Sequence, residues 1–360
     1  MSRVHNYFAG PAALPLPALE QAQKELLDWA GTGMSVMETS HRSKEYSEVH
    51  GEAINLLKEL LGLGEEYKVL FCTGGASMQF AMAPLNLLRP GDSADYILTG
   101  SWAKKAYQEA KLIGQARVAA STESEKFARL PRPDEMNFDP RAKYVHLTSN
   151  NTIYGSQWRE FPDTKGIPIV ADMSSDLLWR PFDIKSFGLI YAGAQKNLGP
   201  AGVTIVILRQ DLLEQSREDL PTMLRYRTFW DNDSLANTPP VFCIYMVRNV
   251  LRWIKDTGGL VEMERRNLEK GALLYRAIDE SGFYRCPVEP GSRSVMNACF
   301  RLPTEELDQK FVSEAKKAGF IGLKGYRTMG GIRVSMYNAV GPDSIRALVA
   351  FMQDFREENQ

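Results

Sequence analysis

The chain has 360 residues, more than one ordinary hydrophobic core organises, so two domains are expected. Its 43 Lys plus Arg almost balance 44 Asp plus Glu, for a formal net charge of -1, which argues against a protein that coats nucleic acid or an anionic membrane. Hydrophobic residues make up 44%, which excludes disorder over most of the length.

The sequence carries no pattern typical of a membrane, secreted or metal-binding protein. Its strongest apolar run, residues 203–208, is much shorter than the roughly 20 residues of a transmembrane helix. The first residues lack the layout of a signal peptide. The four cysteines are widely separated and suit a reducing compartment, and the four histidines show no metal-ligand spacing. We therefore expect a cytoplasmic protein without a metal site.

Hydrophobic periodicity predicts alternating strands and helices, which is typical of an α/β fold with a mostly parallel sheet. Residues 222–240 are polar and irregular, and a long loop of this kind is usually functional or lies at an interface. The expected elements are helices over 16–30, 46–61, 76–88, 241–256, 260–279, 304–318 and 342–357, and strands over 68–73, 94–99, 143–147, 167–171, 189–192, 203–208, 294–301 and 331–336.

Three local patterns are candidates for a functional site, and each is ambiguous by itself. The run TGGAS at 73–77 lies where a strand turns into a helix; it could bind an anion through free N–H groups or be an ordinary turn. Asp172 ends a predicted strand, where its carboxylate could face a ligand or could simply belong to a turn. Lys196 stands among small residues after an apolar strand, although most lysines are solvated surface charges.

Together the three patterns are far more specific than any one of them, because they are what pyridoxal phosphate requires. A lysine kept from water has a lowered pKa and can form an imine with the aldehyde. A strand-end acid keeps the pyridine nitrogen protonated, and the start of a helix holds the phosphate.

Over essentially its whole length the chain closely resembles the phosphoserine aminotransferase family, a class V branch of the pyridoxal-phosphate enzymes. The resemblance implies fold type I, with a large domain (16–260) built on a mostly parallel seven-stranded sheet and a smaller α/β domain (1–15 and 261–360). The motifs that carry it are NYFAGPAALP, METSHRSKEY, TGGASMQF, VADMSSD, YAGAQKNLGPAG, NTPP and KGYRTMGGIRVSMYNA.

The resemblance implies a role in cofactor binding for nine residues. Lys196 would bond to the cofactor and later move the substrate's proton, and Asp172 would pair with the pyridinium nitrogen. Trp102 would stack on the ring, and Thr152 would bond near the ring hydroxyl. The cofactor phosphate would be bound by Ala76, Ser77 and Gln195, and by Asn237 and Thr238 of a second subunit. A homodimer with shared active sites is therefore implied.

The same resemblance implies substrates with a carboxylate and a second anionic group. Arg333 would hold the α-carboxylate, while His41, Arg42 and Arg327 would receive a phosphate or a side-chain carboxylate. Ser77 stands where some members of the family carry an additional arginine, which leaves the relative affinity for the two anions open.

The implied reaction moves an amino group reversibly from L-glutamate to 3-phosphohydroxypyruvate, giving O-phospho-L-serine and 2-oxoglutarate in serine biosynthesis. Some members also accept 3-hydroxy-2-oxo-4-phosphooxybutanoate, on the route to pyridoxine. Two alternatives stay open at this point: a class V aminotransferase of the serine–glyoxylate type, which needs no phosphate pocket, and a non-catalytic relative.

Overall fold

The computed structural model describes residues 3–360. Its helices are α1 (Leu16–Glu25), α2 (Lys44–Leu61), α3 (Gly75–Leu87), α4 (Ser101–Lys111), α5 (Gln210–Glu214), α6 (Tyr226–Asp231), α7 (Val241–Asp256), α8 (Gly259–Asp279), α9 (Glu305–Lys317) and α10 (Pro342–Asn359). Its strands are β1 (His5–Asn6), β2 (Tyr67–Cys72), β3 (Ser93–Leu98), β4 (Gln115–Ser121), β5 (Val145–Thr148), β6 (Asn150–Asn151), β7 (Ser156–Gln157), β8 (Ile169–Asp172), β9 (Phe187–Gly193), β10 (Thr204–Arg209), β11 (Asn297–Phe300), β12 (Phe320–Ile321) and β13 (Ile332–Ser335).

The main sheet within residues 3–360 has seven strands in the order β2-β10-β9-β8-β5-β3-β4. All neighbours pair in parallel except β10, which is antiparallel to both β2 and β9. The predicted α/β class with a mostly parallel sheet is therefore confirmed. Because parallel strands end at one edge, the residues that follow β3, β5, β8 and β9 meet there.

Both faces of this sheet are covered, as parallel sheets require. Alternate residues of β8 show the division: Ile169 and Ala171 join the apolar cluster under α2 and α7, whereas Val170 joins the one under α3 and α4. Since side chains alternate along a strand, Asp172 is directed to the same side as Val170.

A separate apolar cluster forms around the small sheet β11-β13, with α8, α9 and α10 packed against it. Tyr7 belongs to this cluster, and β1 pairs in parallel with β12. This packing is what a domain of residues 1–15 and 261–360 would need. Residues 1 and 2 lie outside the described part, and the division itself stays a prediction.

Most predicted elements are found within a few residues of their expected bounds, and the exceptions have physical reasons. Helix α1 ends at Glu25 rather than at residue 30. The expectations omitted α4, whose buried positions are alanines, and β4, a partly exposed edge strand without clean alternation. They also omitted the elements that are too short to show a period, namely α5, β1, β6, β7 and β12. Residues 222–240 are not irregular throughout, because α6 forms there and buries Tyr226 and Phe229.

None of the helices within residues 3–360 combines the length and the apolar composition needed to cross a membrane.

Candidate active site

Lys196 lies just beyond β9, in a turn closed over by the start of the chain. The amide of Ala12 donates to the carbonyl of Gln195 at 3.0 Å. A Cβ added to Gly10, which has φ of 144°, would lie 3.1 Å from Cγ of Lys196, so only glycine passes there without displacing the lysine. The start of the chain thereby packs against the aliphatic part of the Lys196 side chain.

The charges around Lys196 act on its amine in opposite directions. Burial is the largest effect and lowers the pKa of Lys196 below its usual value. The carboxyls of Asp172 and Asp176 raise this pKa, and the Arg333 guanidinium lowers it. The net shift is downward, which favours the neutral, nucleophilic form of the amine.

Asp172 is held by one of its two carboxylate oxygens. Oδ1 accepts hydrogen bonds from the backbone N–H of Ser174 at 3.0 Å and from its hydroxyl at 2.6 Å. The Ser174 hydroxyl oxygen in turn accepts from the amide of Gly193, at 3.0 Å, which ties β8 to the end of β9. Oδ2 has no such partner within residues 3–360, so it is free to meet a cationic group.

Trp102, Thr152 and Arg333 form a hydrogen-bonded group opposite the lysine. The Trp102 indole N–H donates to the Thr152 hydroxyl at 3.1 Å, and Arg333 Nη1 donates to the Thr152 carbonyl at 3.1 Å. The Lys196 amine lies 5.5 Å from the centre of the Trp102 ring. Nε of Arg333 is buried without a partner in the described chain, which leaves it a donor for a bound anion.

The glycine turn before α3 has the geometry that the sequence predicts for an anion cradle. Gly74 and Gly75 have φ of 85° and 63°, in the left-handed region that favours glycine. A Cβ on Gly74 would lie 2.6 Å from Cβ of Met78. The helix then starts through Ala76 and Ser77, whose backbone N–H groups are among those without an intrahelical acceptor.

Five predicted site residues are not joined to this group within one chain. No hydrogen bond or ion pair in residues 3–360 links any of them to Lys196, Asp172 or Arg333. Arg42 is exposed just before α2, and Nε2 of His41 is buried without a described partner. Arg327 is exposed and lines a surface cavity of about 660 Å³. Asn237 and Thr238 are exposed between α6 and α7.

Sequence reasoning missed Asp176 and the side chains that hold it. Asp176 is buried and accepts hydrogen bonds from the Ser149 hydroxyl and, at 3.1 Å, from the Gln157 amide. Burial raises the pKa of this carboxyl to about 6. The polar run after β8, DMSSD, was the available signal: polar residues crowded at the carboxyl end of a buried strand indicate more than one functional side chain.

The family model described as "Aminotransferase class-V" matches residues 4–348. The chain therefore belongs to the class-V aminotransferases. A relative from Geobacillus kaustophilus, named phosphoserine aminotransferase, is 56% identical over 99% of both chains, and one from Desulfosudis oleivorans with the same name is 55% identical over 99% of both. Within its class, the chain thus groups with the phosphoserine aminotransferase family.

Solved structures agree with this placement. Phosphoserine aminotransferase from Bacillus circulans subsp. alkalophilus superposes with a TM-score of 0.98 at 55% identity, over 99% of both chains. A structure described as "Radiation damage of the Schiff base in phosphoserine aminotransferase (structure A)" gives a TM-score of 0.98 at 53% identity, over 99% of this chain and 100% of that one.

We expect Asp176→Asn to remove one pH-dependent part of the stability. The native carboxyl keeps its proton up to about pH 6, whereas an unfolded Asp loses it near pH ~4. The native state binds more protons between these values, so stability falls as pH rises through that window. Urea unfolding of the cofactor-free proteins between pH 4 and 7 checks this. The free energy of unfolding should fall by an amount on the order of 2 kcal/mol in the parent, and this fall should be missing in Asp176→Asn.

The matched control is Asp354→Asn, which changes an exposed carboxyl on α10 and should keep the parent's pH dependence. An Asp176→Asn variant with the same slope as the parent would contradict the assigned environment of this carboxyl.

Proposed function

We propose that the chain is a pyridoxal-phosphate-dependent phosphoserine aminotransferase of serine biosynthesis. It would exchange an amino group between L-glutamate and 3-phosphohydroxypyruvate, releasing 2-oxoglutarate and O-phospho-L-serine. The observation that carries the proposal is that the Lys196 amine, whose pKa burial lowers, is within electrostatic reach of the Asp172 carboxylate and the Arg333 guanidinium. The chain is also more than half identical to phosphoserine aminotransferases over its full length.

The residues at this site fit pyridoxal phosphate in charge and in shape. The Lys196 amine suits the aldehyde, and Oδ2 of Asp172 suits a protonated pyridine nitrogen. The Trp102 ring offers an aromatic face, and the start of α3 offers free N–H groups to the phosphate. When bound, the cofactor supplies an electron-withdrawing ring that stabilises negative charge at the substrate Cα.

The chain's own groups then divide the work. Lys196, whose pKa is lowered by burial, would accept a proton from the substrate Cα at Nζ and return it elsewhere. Arg333 would hold the α-carboxylate and so fix the direction of the Cα–H bond. Gly10 and its neighbours, packed against the lysine, would keep water from the amine.

The second anionic group of the substrates would be received by His41, Arg42 and Arg327. Phosphorylated and dicarboxylic substrates both need cationic groups at a fixed distance from Arg333. The unpartnered Nε2 of His41 is consistent with a ligand in this place. No hydrogen bond or ion pair within residues 3–360 links these residues to Lys196, which is consistent with a site completed by a second subunit.

A homodimer with shared active sites is part of the proposal. Asn237 and Thr238 are exposed and free to reach a partner's cofactor phosphate. Large apolar side chains lie exposed in the region that precedes α2, with Leu27 at 84% and Met37 at 54% of their full exposure, as expected for a surface that a second copy covers. A cytoplasmic location is proposed with the same function.

Borohydride reduction of the holoenzyme should attach the cofactor irreversibly to Lys196, because burial lowers the pKa of that amine and so favours its nucleophilic form. Peptide mapping of the reduced protein checks this. Lys196→Ala should lose the label, the absorbance near the cofactor's yellow band and the turnover of glutamate with 3-phosphohydroxypyruvate. Lys105→Ala is the matched control, since Lys105 lies 4.6 Å from the same Trp102 ring but is exposed. A label on another lysine would overturn the assignment.

Arg42→Ala should raise KM for phosphoserine and glutamate by roughly tenfold or more, because a charge-assisted hydrogen bond is lost. Cofactor content should stay at the parent's level, and loss of cofactor instead would mean that Arg42 is misassigned. Arg89→Ala, an exposed arginine after α3, is the control.

Steady-state assays of the unaltered enzyme with serine and with phosphoserine decide against the serine–glyoxylate alternative if phosphoserine is strongly preferred. Equal use of the two donors would favour that alternative. The acceptor 3-hydroxy-2-oxo-4-phosphooxybutanoate is assayed beside 3-phosphohydroxypyruvate to test the pyridoxine route.

Mixing two inactive variants should restore activity if each site uses both subunits. A double variant, Asn237→Ala with Thr238→Ala, weakens the phosphate contacts that a chain donates, and Lys196→Ala removes its own amine. A mixed dimer contains one intact site, so co-refolded chains should regain activity that neither variant has alone. No gain in verified heterodimers would refute donation across the interface.

A further inference from the structure

Three asparagines are hydrogen-bonded to three successive backbone carbonyls, those of residues 177–179. Each asparagine donates a hydrogen bond from its side-chain amide to a different carbonyl. The pairs are Asn197 Nδ2 to Leu177 O at 2.7 Å, Asn338 Nδ2 to Leu178 O at 2.8 Å, and Asn267 Nδ2 to Trp179 O at 3.2 Å.

The three side chains are also bonded in series. Asn267 Nδ2 donates to Asn338 Oδ1 at 2.8 Å, and the backbone N–H of Asn338 donates to Asn197 Oδ1 at 2.9 Å. All three residues are buried, so each lost bond would leave an unpaired polar group away from water. We call this set of three asparagines the amide clamp.

The amide clamp joins the chain segments that carry the three charged groups of the site. Asn197 directly follows Lys196. Asn338 lies five residues after Arg333, just beyond β13. The three bonded carbonyls, of residues 177–179, come shortly after Asp172 and Asp176 in the chain. Asn267 lies on α8.

The segment 177–179 contains a backbone conformation that its sequence does not favour. Leu178 has φ of 67°, in the left-handed region, which is unfavourable for any residue with a side chain. Such a conformation persists only where the surroundings determine it, and such residues cluster at functional sites. The bonds to the carbonyls on both sides of this residue supply that constraint.

A second contact fixes the segment that bears Asn338. Lys270 is one turn further along α8 than Asn267, on the same face, and its buried amine donates to the carbonyls of Met336 at 2.8 Å and Tyr337 at 2.9 Å. Helix α8 therefore holds the chain immediately before Asn338 as well as Asn338 itself.

We propose that Asn197, Asn338 and Asn267 are positioning residues for the reaction, and that the amide clamp fixes Lys196, Asp172 and Arg333 relative to one another. The proposal rests on the proposed function for the roles of those three groups. Asn338 is its centre, because it bonds both other asparagines and follows the strand that holds Arg333. A shift in any of the segments that carry these three groups would change the distance from the Lys196 amine to the substrate Cα, on which proton transfer depends.

The first test needs no cofactor. Hydrogen exchange with mass spectrometry of the cofactor-free Asn338→Ala variant should show at least about tenfold faster exchange in peptides covering 177–179 and 196–199, about 1.4 kcal/mol of lost local stability. The alanine keeps the backbone N–H that donates to Asn197 Oδ1. Residues 196–199 should nevertheless respond, because Asn197 also bonds the carbonyl of Leu177, in the segment that the lost Asn338 side chain releases.

The second test uses the holoenzyme. In Asn338→Ala, the midpoint of the pH titration of cofactor absorbance should move, and kcat for the glutamate half-reaction should fall at least tenfold. Asn267→Ser, which removes only the outermost amide, should give smaller changes of the same kind and serves if Asn338→Ala does not fold.

Asn86→Ala is the matched control. Asn86 is equally buried, donates to the carbonyls of Met82 and Leu224 at 2.8 Å and accepts from the amide of Tyr226, but it lies at the far end of α3. It should lower the melting temperature without moving the titration midpoint. If Asn338→Ala behaves like this control in exchange, midpoint and kcat, the amide clamp is packing alone and the proposal is wrong.

The two proposals fail in different ways. An unaltered chain that takes up no pyridoxal phosphate would overturn the proposed function, while hydrogen exchange still decides whether the asparagines hold the segments together. A holoenzyme with normal transamination and an unmoved midpoint in the Asn338 and Asn267 variants would overturn the positioning role only.

Discussion

The withdrawal of one amine from water is the constraint on which the candidate site depends. Desolvation makes a charged ammonium unfavourable, whereas two nearby carboxyls favour it. The balance leaves Lys196 with a lowered pKa but close to groups that can stabilise its protonated form. An amine in that state can act first as a nucleophile and then as a proton carrier. Small displacements of Asp172, Asp176 or Arg333 would upset this balance, so the scaffold must hold all four groups closely.

The parallel sheet supplies most of that precision. Four of the site residues lie at or just beyond the carboxyl ends of four different strands, and those ends share one edge of the sheet. They are Asp172, which ends β8, and Trp102, Thr152 and Lys196, which come after β3, β5 and β9. Arg333 comes from outside this sheet, on β13, and reaches the group through the Thr152 carbonyl. Side chains placed by strand ends inherit the rigidity of the sheet. The contribution from the C-terminal strand needs a separate attachment, which the asparagines and Lys270 provide.

The sequence was sufficient to predict the fold class, and it also brought forward candidate site residues, but for different reasons. The buried strands β8, β9 and β10 are apolar and bounded by turn residues, so periodicity identifies them. Helix α4 has the helical spacing, but its buried positions are the small residues Ala103, Ala106 and Ala110, which give a weak apolar signal. Edge strand β4 has no clean alternation. Lys196 and Asp172 were predicted as site residues because their chemistry is specific at that spacing. Asp176 was not predicted, because the polar run that contains it did not single out this carboxyl, and its burial is known only from the fold.

The same distinction explains why the amide clamp is invisible in the sequence. Asparagines 197, 267 and 338 are far apart along the chain, and asparagine is common in turns, where Asn197 and Asn338 do lie. Their meaning depends on which carbonyls they face, and that is set by how α8 and β13 pack against the segment after β8. Leu178 shows the consequence most directly: leucine gives no local reason for a φ of 67°, so its conformation must be imposed by tertiary contacts. Catalytic groups can thus be read from local chemistry, whereas the residues that position them emerge only from the assembled fold.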